Sequence, residues 1–174
     1  MDLTSVRAPT AGPARPSLEA EFATEFPLLL NYVVRLIDSL DAAPAIAIAA
    51  MRRGIDRSGA DKSVSEVRPD IYKLATELSR KWLRPRRFFR HAEEMVNLAD
   101  FPQPDTRRAL RRDTVQRALM ALPVEARSLI LLRDAVRLSY EELSQVVGIP
   151  PKKLVHALDQ ARAELSEVYG YIKF

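Results

Sequence analysis

Lys152, Lys153, His156 and Gln160 are the side chains here whose types and spacing best suit hydrogen bonding to the edges of nucleic-acid bases. Steps of one, three and four residues bring them to a common face if the segment is helical. Lysine donates to guanine edges and glutamine pairs with adenine, the usual chemistry of the major groove. A second set is Arg80, Lys81, Arg84, Arg86, Arg87 and Arg90, interleaved with Trp82, Phe88 and Phe89. Cations hold a sugar-phosphate backbone while rings stack on unpaired bases, so this block suits single-stranded nucleic acid. Arg107, Arg108, Arg111 and Arg112 form a further block suited to phosphate contacts. The plainer alternatives are that clustered arginines coat a solvated surface and that Trp82, at helical spacing from Leu78, belongs to the core.

Such groups work only if helices hold them. The run from Leu138 to Leu165 reads as a helix-turn-helix. Its first helix, Tyr140 to Val147, carries Leu143, Val146 and Val147; its second puts Leu154, Leu158, Ala161 and Leu165 on one stripe. Gly148 is expected to end the first helix at positive φ, with Ile149 as an apolar plug. Pro150 and Pro151 fall where a helix tolerates proline, in its first turn. A second helix held steeply to the first is a common way of presenting side chains to the major groove, and is also common in all-α proteins without that role.

Upstream, Met1 to Pro16 reads as a tail rich in proline and alanine. A first helix is expected from Ser17 to about Ser39, kinked or broken at Pro27. A second is expected from Pro44 to Arg53, a third from Glu66 to Leu83, with Gly54 to Ser65 as a polar loop. Pro102 and Pro104 mark residues 91–112 as a linker. One helix is expected from Asp113 to Leu122 and another from Val124 to Val136. The fold class is therefore all-α: two small helical domains, residues 17–90 and 113–174, joined by a basic linker.

Composition removes several function classes. The 174 residues include no cysteine, which excludes disulfides, cysteine-based zinc sites and thiol catalysis. No apolar run approaches the roughly 20 residues of a membrane span. No glycine-rich loop follows a strand, and His91 and His156 have no acid or nucleophile at motif spacing. The sequence suggests no enzyme, no metal and no cofactor, in a cytoplasmic setting. The formal net charge of +4 hides the strong local clustering of arginine.

The segment from Thr114 to Leu165 resembles the extracytoplasmic-function sigma factors of bacterial RNA polymerase. The shared features are Ala121-Leu122-Pro123, Arg127 four residues on, Leu132-Arg133, Ser139-Tyr140-Glu141-Glu142, Gly148-Ile149 and Gln160-Ala161-Arg162. The N-terminal half resembles the family less closely, chiefly through Ile71-Tyr72-Lys73-Leu74-Ala75. The resemblance implies RNA polymerase core (β′ clamp and β flap) and promoter DNA as partners. It further implies −10 contact through Arg80, Lys81, Arg84, Arg86 and Arg87, and −35 readout through Lys152, Lys153, His156 and Gln160. Arg127, Arg133 and Tyr140 would then fix the register on the DNA backbone. Where the family carries acidic and Gln-Glu contacts to the β′ clamp, this sequence has Ala43, Pro44, Ala47 and Ile48. That departure keeps two alternatives open. One is a sigma mimic that sequesters an anti-sigma factor through an apolar docking face of Pro44, Ala47, Ile48 and Met51; the other is a helix-turn-helix regulator working with a second protein.

Overall fold

The computed structural model describes residues 18–58, 62–84 and 114–173. The expected tail and linker lie outside those residues, as do Arg86, Arg87, Phe88, Phe89 and Arg90 and the block from Arg107 to Arg112. Among the described residues every regular element is a helix.

Helix α1, Leu18–Ile37, turns Phe26, Leu29, Val33, Leu36 and Ile37 inward at three- and four-residue steps. It runs through Pro27 rather than breaking there. Pro27 is exposed, and the buried stripe continues past it on the other side. The helix closes at Asp38, whose φ of 54° lies in the left-handed region that aspartate tolerates and whose N–H donates to Val34 O at 2.8 Å.

Helix α2, Ala43–Ser58, continues five residues beyond the expected end at Arg53. The reason is Gly54, expected from sequence in a polar loop. It lies buried against α3, where an added Cβ would sit 2.5 Å from Ile71 Cγ1 and 3.4 Å from Ile71 Cα. Here glycine serves close helix–helix approach, not chain reversal. Gly54→Ala should therefore destabilise the protein despite alanine's better helix propensity, by about 1–2 kcal/mol net of overpacking. Urea unfolding checks this, and a stabilised variant would show that Ile71 gives way without cost.

Helix α3, Val64–Leu83, starts two residues earlier than expected because a capping box sets its N-terminus. Ser63 Oγ accepts from the Glu66 N–H at 3.3 Å and Glu66 Oε2 accepts from the Ser63 N–H at 2.8 Å.

The C-terminal group comprises α4 (Thr114–Ala121), α5 (Val124–Ile130), α6 (Tyr140–Val147) and α7 (Pro151–Lys173). The expected single helix from Val124 to Val136 changes character partway, because Leu131–Ala135 forms a π-helical turn. There the Val136 N–H reaches Leu131 O at 3.0 Å and the Leu138 N–H reaches Leu132 O at 3.1 Å. Arg137 follows with φ 68°, a conformation uncommon outside glycine.

One buried cluster runs through both groups. Tyr32, Leu36, Met51, Ile71 and Tyr72 from α1–α3 are continuous with Leu132, Leu138, Leu143, Leu154 and Leu158 from the C-terminal group. Helix α1 packs against α4, α5 and the π turn, and α3 packs along α6. Each fully buried leucine contributes about 1.5–3 kcal/mol relative to exposure. The two helical groups expected from sequence thus share a core. No helix among the described residues is long and apolar enough to cross a membrane.

Candidate nucleic-acid interface

The second helix of the helix-turn-helix is held by both of its neighbours. Helix α6 begins in a second capping box: Ser139 Oγ accepts from Glu142 N–H at 3.1 Å and Glu142 Oε2 from Ser139 N–H at 2.7 Å. It ends at Gly148, whose φ of 73° lets its N–H close on Ser144 O at 2.9 Å. The chain turns through Ile149 and Pro150 into α7, which buries Leu154, Leu158 and Ala161 against α4, α5 and α6. On the surface, Arg162 clamps α7 to the π turn through two hydrogen bonds to the Asp134 carboxylate, at 3.1 and 2.5 Å.

Burying that stripe turns the opposite face outward. Lys152, Lys153, His156 and Gln160 are all exposed, together with Val155 and Asp159. The first three stand exposed within the first two turns of α7, while Gln160 Nε2 donates to Glu164 Oε1 at 3.2 Å. Asp159 lies 3.8 Å from Arg162. The four expected donors therefore do share one accessible face.

The expected backbone contacts lie elsewhere. Arg127 is 5% exposed and its guanidinium points inward, which corrects its assignment to a phosphate. Its Nε donates to Leu119 O at 2.8 Å; its terminal nitrogens donate to Met120 O at 3.1 Å, Leu122 O at 3.0 Å and Leu36 O at 2.5 Å. The last carbonyls of a helix have no partner within it, and Arg127 supplies one for α4 at the Leu122-Pro123 break. Burial lowers the Arg127 pKa from its ordinary value, with the Asp38 carboxylate acting in the opposite direction. Arg133 and Tyr140 are brought together with each other: the guanidinium lies 4.5 Å from the ring centroid, and Arg133 donates to Leu138 O at 2.5 Å. Both are half-buried.

At the end of α3, Lys81 and Arg84 are exposed. Arg80 is half-buried, 3.9 Å from the Glu125 carboxylate at the start of α5. Trp82 is half-buried and packs against the core cluster. Of the expected docking face, Pro44, Ala47 and Met51 are buried within the protein's own core. That corrects the expectation of an outward apolar surface and leaves Ile48, half-buried, as its accessible member. The stripe looked unpartnered because alanine and isoleucine dominate the helix, so sequence alone did not show which side α1 and α3 would cover.

Two further polar residues, Arg68 and Gln116, join the groups. Arg68 donates from Nε to Glu25 Oε1 at 3.0 Å and from a terminal nitrogen to Val136 O at 2.9 Å, and lies 3.6 Å from Glu142. Gln116 Nε2 donates to Arg35 O at 3.0 Å and to Asp38 Oδ1 at 3.3 Å. Gln116 was visible as a polar residue one turn before Leu119 on a buried stripe.

Comparison with known proteins agrees with this geometry. Residues 112–165 match the sigma-70 region 4 family. The chain is also 24% identical over 159 residues to RNA polymerase sigma factor YlaC of Bacillus subtilis (strain 168), an alignment covering 88% of this chain and 92% of that protein. The helix-turn-helix segment is thus similar to sigma-70 region 4, and the chain over most of its length is similar to an RNA polymerase sigma factor.

Proposed function

We propose that the protein is a sigma-type transcription initiation factor: it binds RNA polymerase core and directs it to promoters, contacting DNA through α7 and through the basic end of α3. One observation carries this reading. Lys152, Lys153 and His156 stand exposed at the start of the second helix of a helix-turn-helix whose other face buries Leu154, Leu158 and Ala161. That is the arrangement by which such helices read base edges in the major groove. Lys81 and Arg84, exposed at the end of α3, are suited to the backbone of a second DNA element, with the cations of 86–90 following in sequence.

The test is run-off transcription with purified polymerase core, this protein and a library of genomic promoter fragments. Specific transcripts are the expected result. Absence of transcripts, together with no stable complex on core, would instead favour a sigma mimic acting on an anti-sigma factor. On a promoter so identified, Lys153→Ala should weaken binding by about 1–3 kcal/mol at selected sequences if it reads a base, and all DNA alike if it touches phosphate. Competition binding against scrambled duplexes separates the two. Unchanged affinity on every sequence would remove Lys153 from the interface.

A further inference from the structure

Helix α7 exposes more surface than the four donors use. From Lys152 to Tyr171 it runs about 30 Å, and one stripe stays exposed along that length: Lys153, His156, Gln160, Ala163, Glu167 and Tyr171. Their steps of three and four residues are those of a seam that a second helix can cover. The match to sigma-70 region 4 ends at residue 165, so Glu167 and Tyr171 lie beyond it. Tyr171 is 78% exposed and adds nothing to the buried core.

Charge decides what that second helix is. The stripe is cationic at its start, with Lys152 and Lys153, and anionic further on, with exposed Glu167 and half-buried Glu164. A parallel copy of α7 would set lysine on lysine and glutamate on glutamate. An antiparallel copy, related by a two-fold axis through Gln160, sets each residue opposite the one equally far beyond Gln160. Lys153, seven residues before Gln160, then meets Glu167, seven after it. His156 meets Glu164, four residues to either side. The Tyr171 ring, eleven residues on, lands on the Ile149-Pro150 turn, where Pro150 is exposed. Two-fold symmetry makes every one of these contacts twice.

We propose that the protein self-associates through α7 as an antiparallel pair, in which a second copy of the chain covers Lys153, His156 and Gln160. The pairing stands on the charges of α7; its role in withholding those donors from DNA rests on the function proposed above. The stripe offers far fewer residues a side than the roughly 20–30 of a standard stable interface. Association is therefore weak and reversible, with a dissociation constant in the micromolar range or above. DNA and the second copy compete for one face, so the share of protein free to bind DNA falls as its concentration rises.

Sedimentation velocity of the full chain over a concentration series should show a monomer–dimer equilibrium that salt weakens. Lys153→Glu and Glu167→Lys, both at exposed positions, should each leave helix content unchanged. Each should weaken self-association by about tenfold or more, because two opposite-charge pairs per dimer become two like-charge pairs. An equimolar mixture of the two variants should associate again, since both pairs are once more opposite in a mixed dimer. Misfolding cannot produce that recovery. A monomer at every concentration, a dimer indifferent to both substitutions, or no recovery on mixing would overturn the pairing. Excess promoter duplex should convert the parent dimer to DNA-bound monomers. A dimer that takes up duplex without dissociating would overturn the masking role alone. A duplex bound by no form of the protein would overturn the proposed function and the masking with it, while the pairing would still stand on the mixed-variant result.

Discussion

Arg127→Met should cost about 3–5 kcal/mol of stability while leaving the α7 surface chemically untouched. Methionine fills much of the same space but donates nothing. The carbonyls of Leu119, Met120, Leu122 and Leu36, which the guanidinium joins at 2.5–3.1 Å, then compete for whatever water can enter a site that is 5% exposed. A buried acceptor left unpaired costs about 1–3 kcal/mol, so two remaining dry account for the expected loss. Guanidinium unfolding and a fall in Tm of roughly 10 °C measure it. A loss below about 1 kcal/mol, with DNA affinity reduced in a salt-dependent way, would return Arg127 to the phosphate role that its sequence position suggested. Any DNA-binding defect of the Met variant should instead track its unfolded fraction.

The second large effect is alkaline lability. Tyr32 and Tyr72 are both fully buried and meet edge to face at 5.5 Å between ring centroids. Thr76 donates its hydroxyl to Tyr72 O at 2.7 Å, which makes the Tyr32 hydroxyl the donor to Thr76 Oγ1 at 2.6 Å. Burial pushes both phenols far above their ordinary pKa, and the neighbouring Glu25 carboxylate adds to the rise at Tyr72. A folded-state pKa above the unfolded one means the folded state holds its proton longer. The resulting stability is fully present below about pH 10, where the unfolded phenol titrates, and is lost as pH rises beyond it. Each tyrosine contributes a slope of about 1.4 kcal/mol per pH unit there, and the two together about 2.7. Unfolding free energies measured across that range, with tyrosinate absorbance as the reporter of ionisation, check the sum. Tyr72→Phe removes one of the two titrating phenols and should halve the alkaline slope. An unchanged slope in that variant would mean other groups drive the loss.

What the sequence revealed and what it hid divide along physical lines. The helix-turn-helix was legible because its determinants are local: the apolar stripe of α7, the positive φ at Gly148 and the prolines that follow all act within a few residues. The donor face of Lys152, Lys153, His156 and Gln160 followed from the same periodicity. Side chains whose role depends on another part of the chain were not legible. Arg127 belongs to a familiar sequence pattern, yet its partners include a carbonyl of α1 that no local rule connects to it. Pro44, Ala47 and Met51 looked like a free surface because α2 is covered by α1 and α3, helices that no local rule connects to it. Arg68 and Gln116 carried little signal, since a charged or amide side chain beside an apolar stripe is usually just solvated.

The π turn at Leu131–Ala135 adds a residue to a helix without lengthening its path in proportion. Each residue advances an α-helix by about 100° of rotation. One residue more or fewer in that turn would swing the direction in which the chain leaves α5, and with it the bearing of everything downstream. A single-residue deletion there would leave Lys152, Lys153 and His156 intact in composition and spacing but aimed at a different quarter of space. The heading of the exposed donor face of α7 is thus stored as a residue count in the π turn upstream of it.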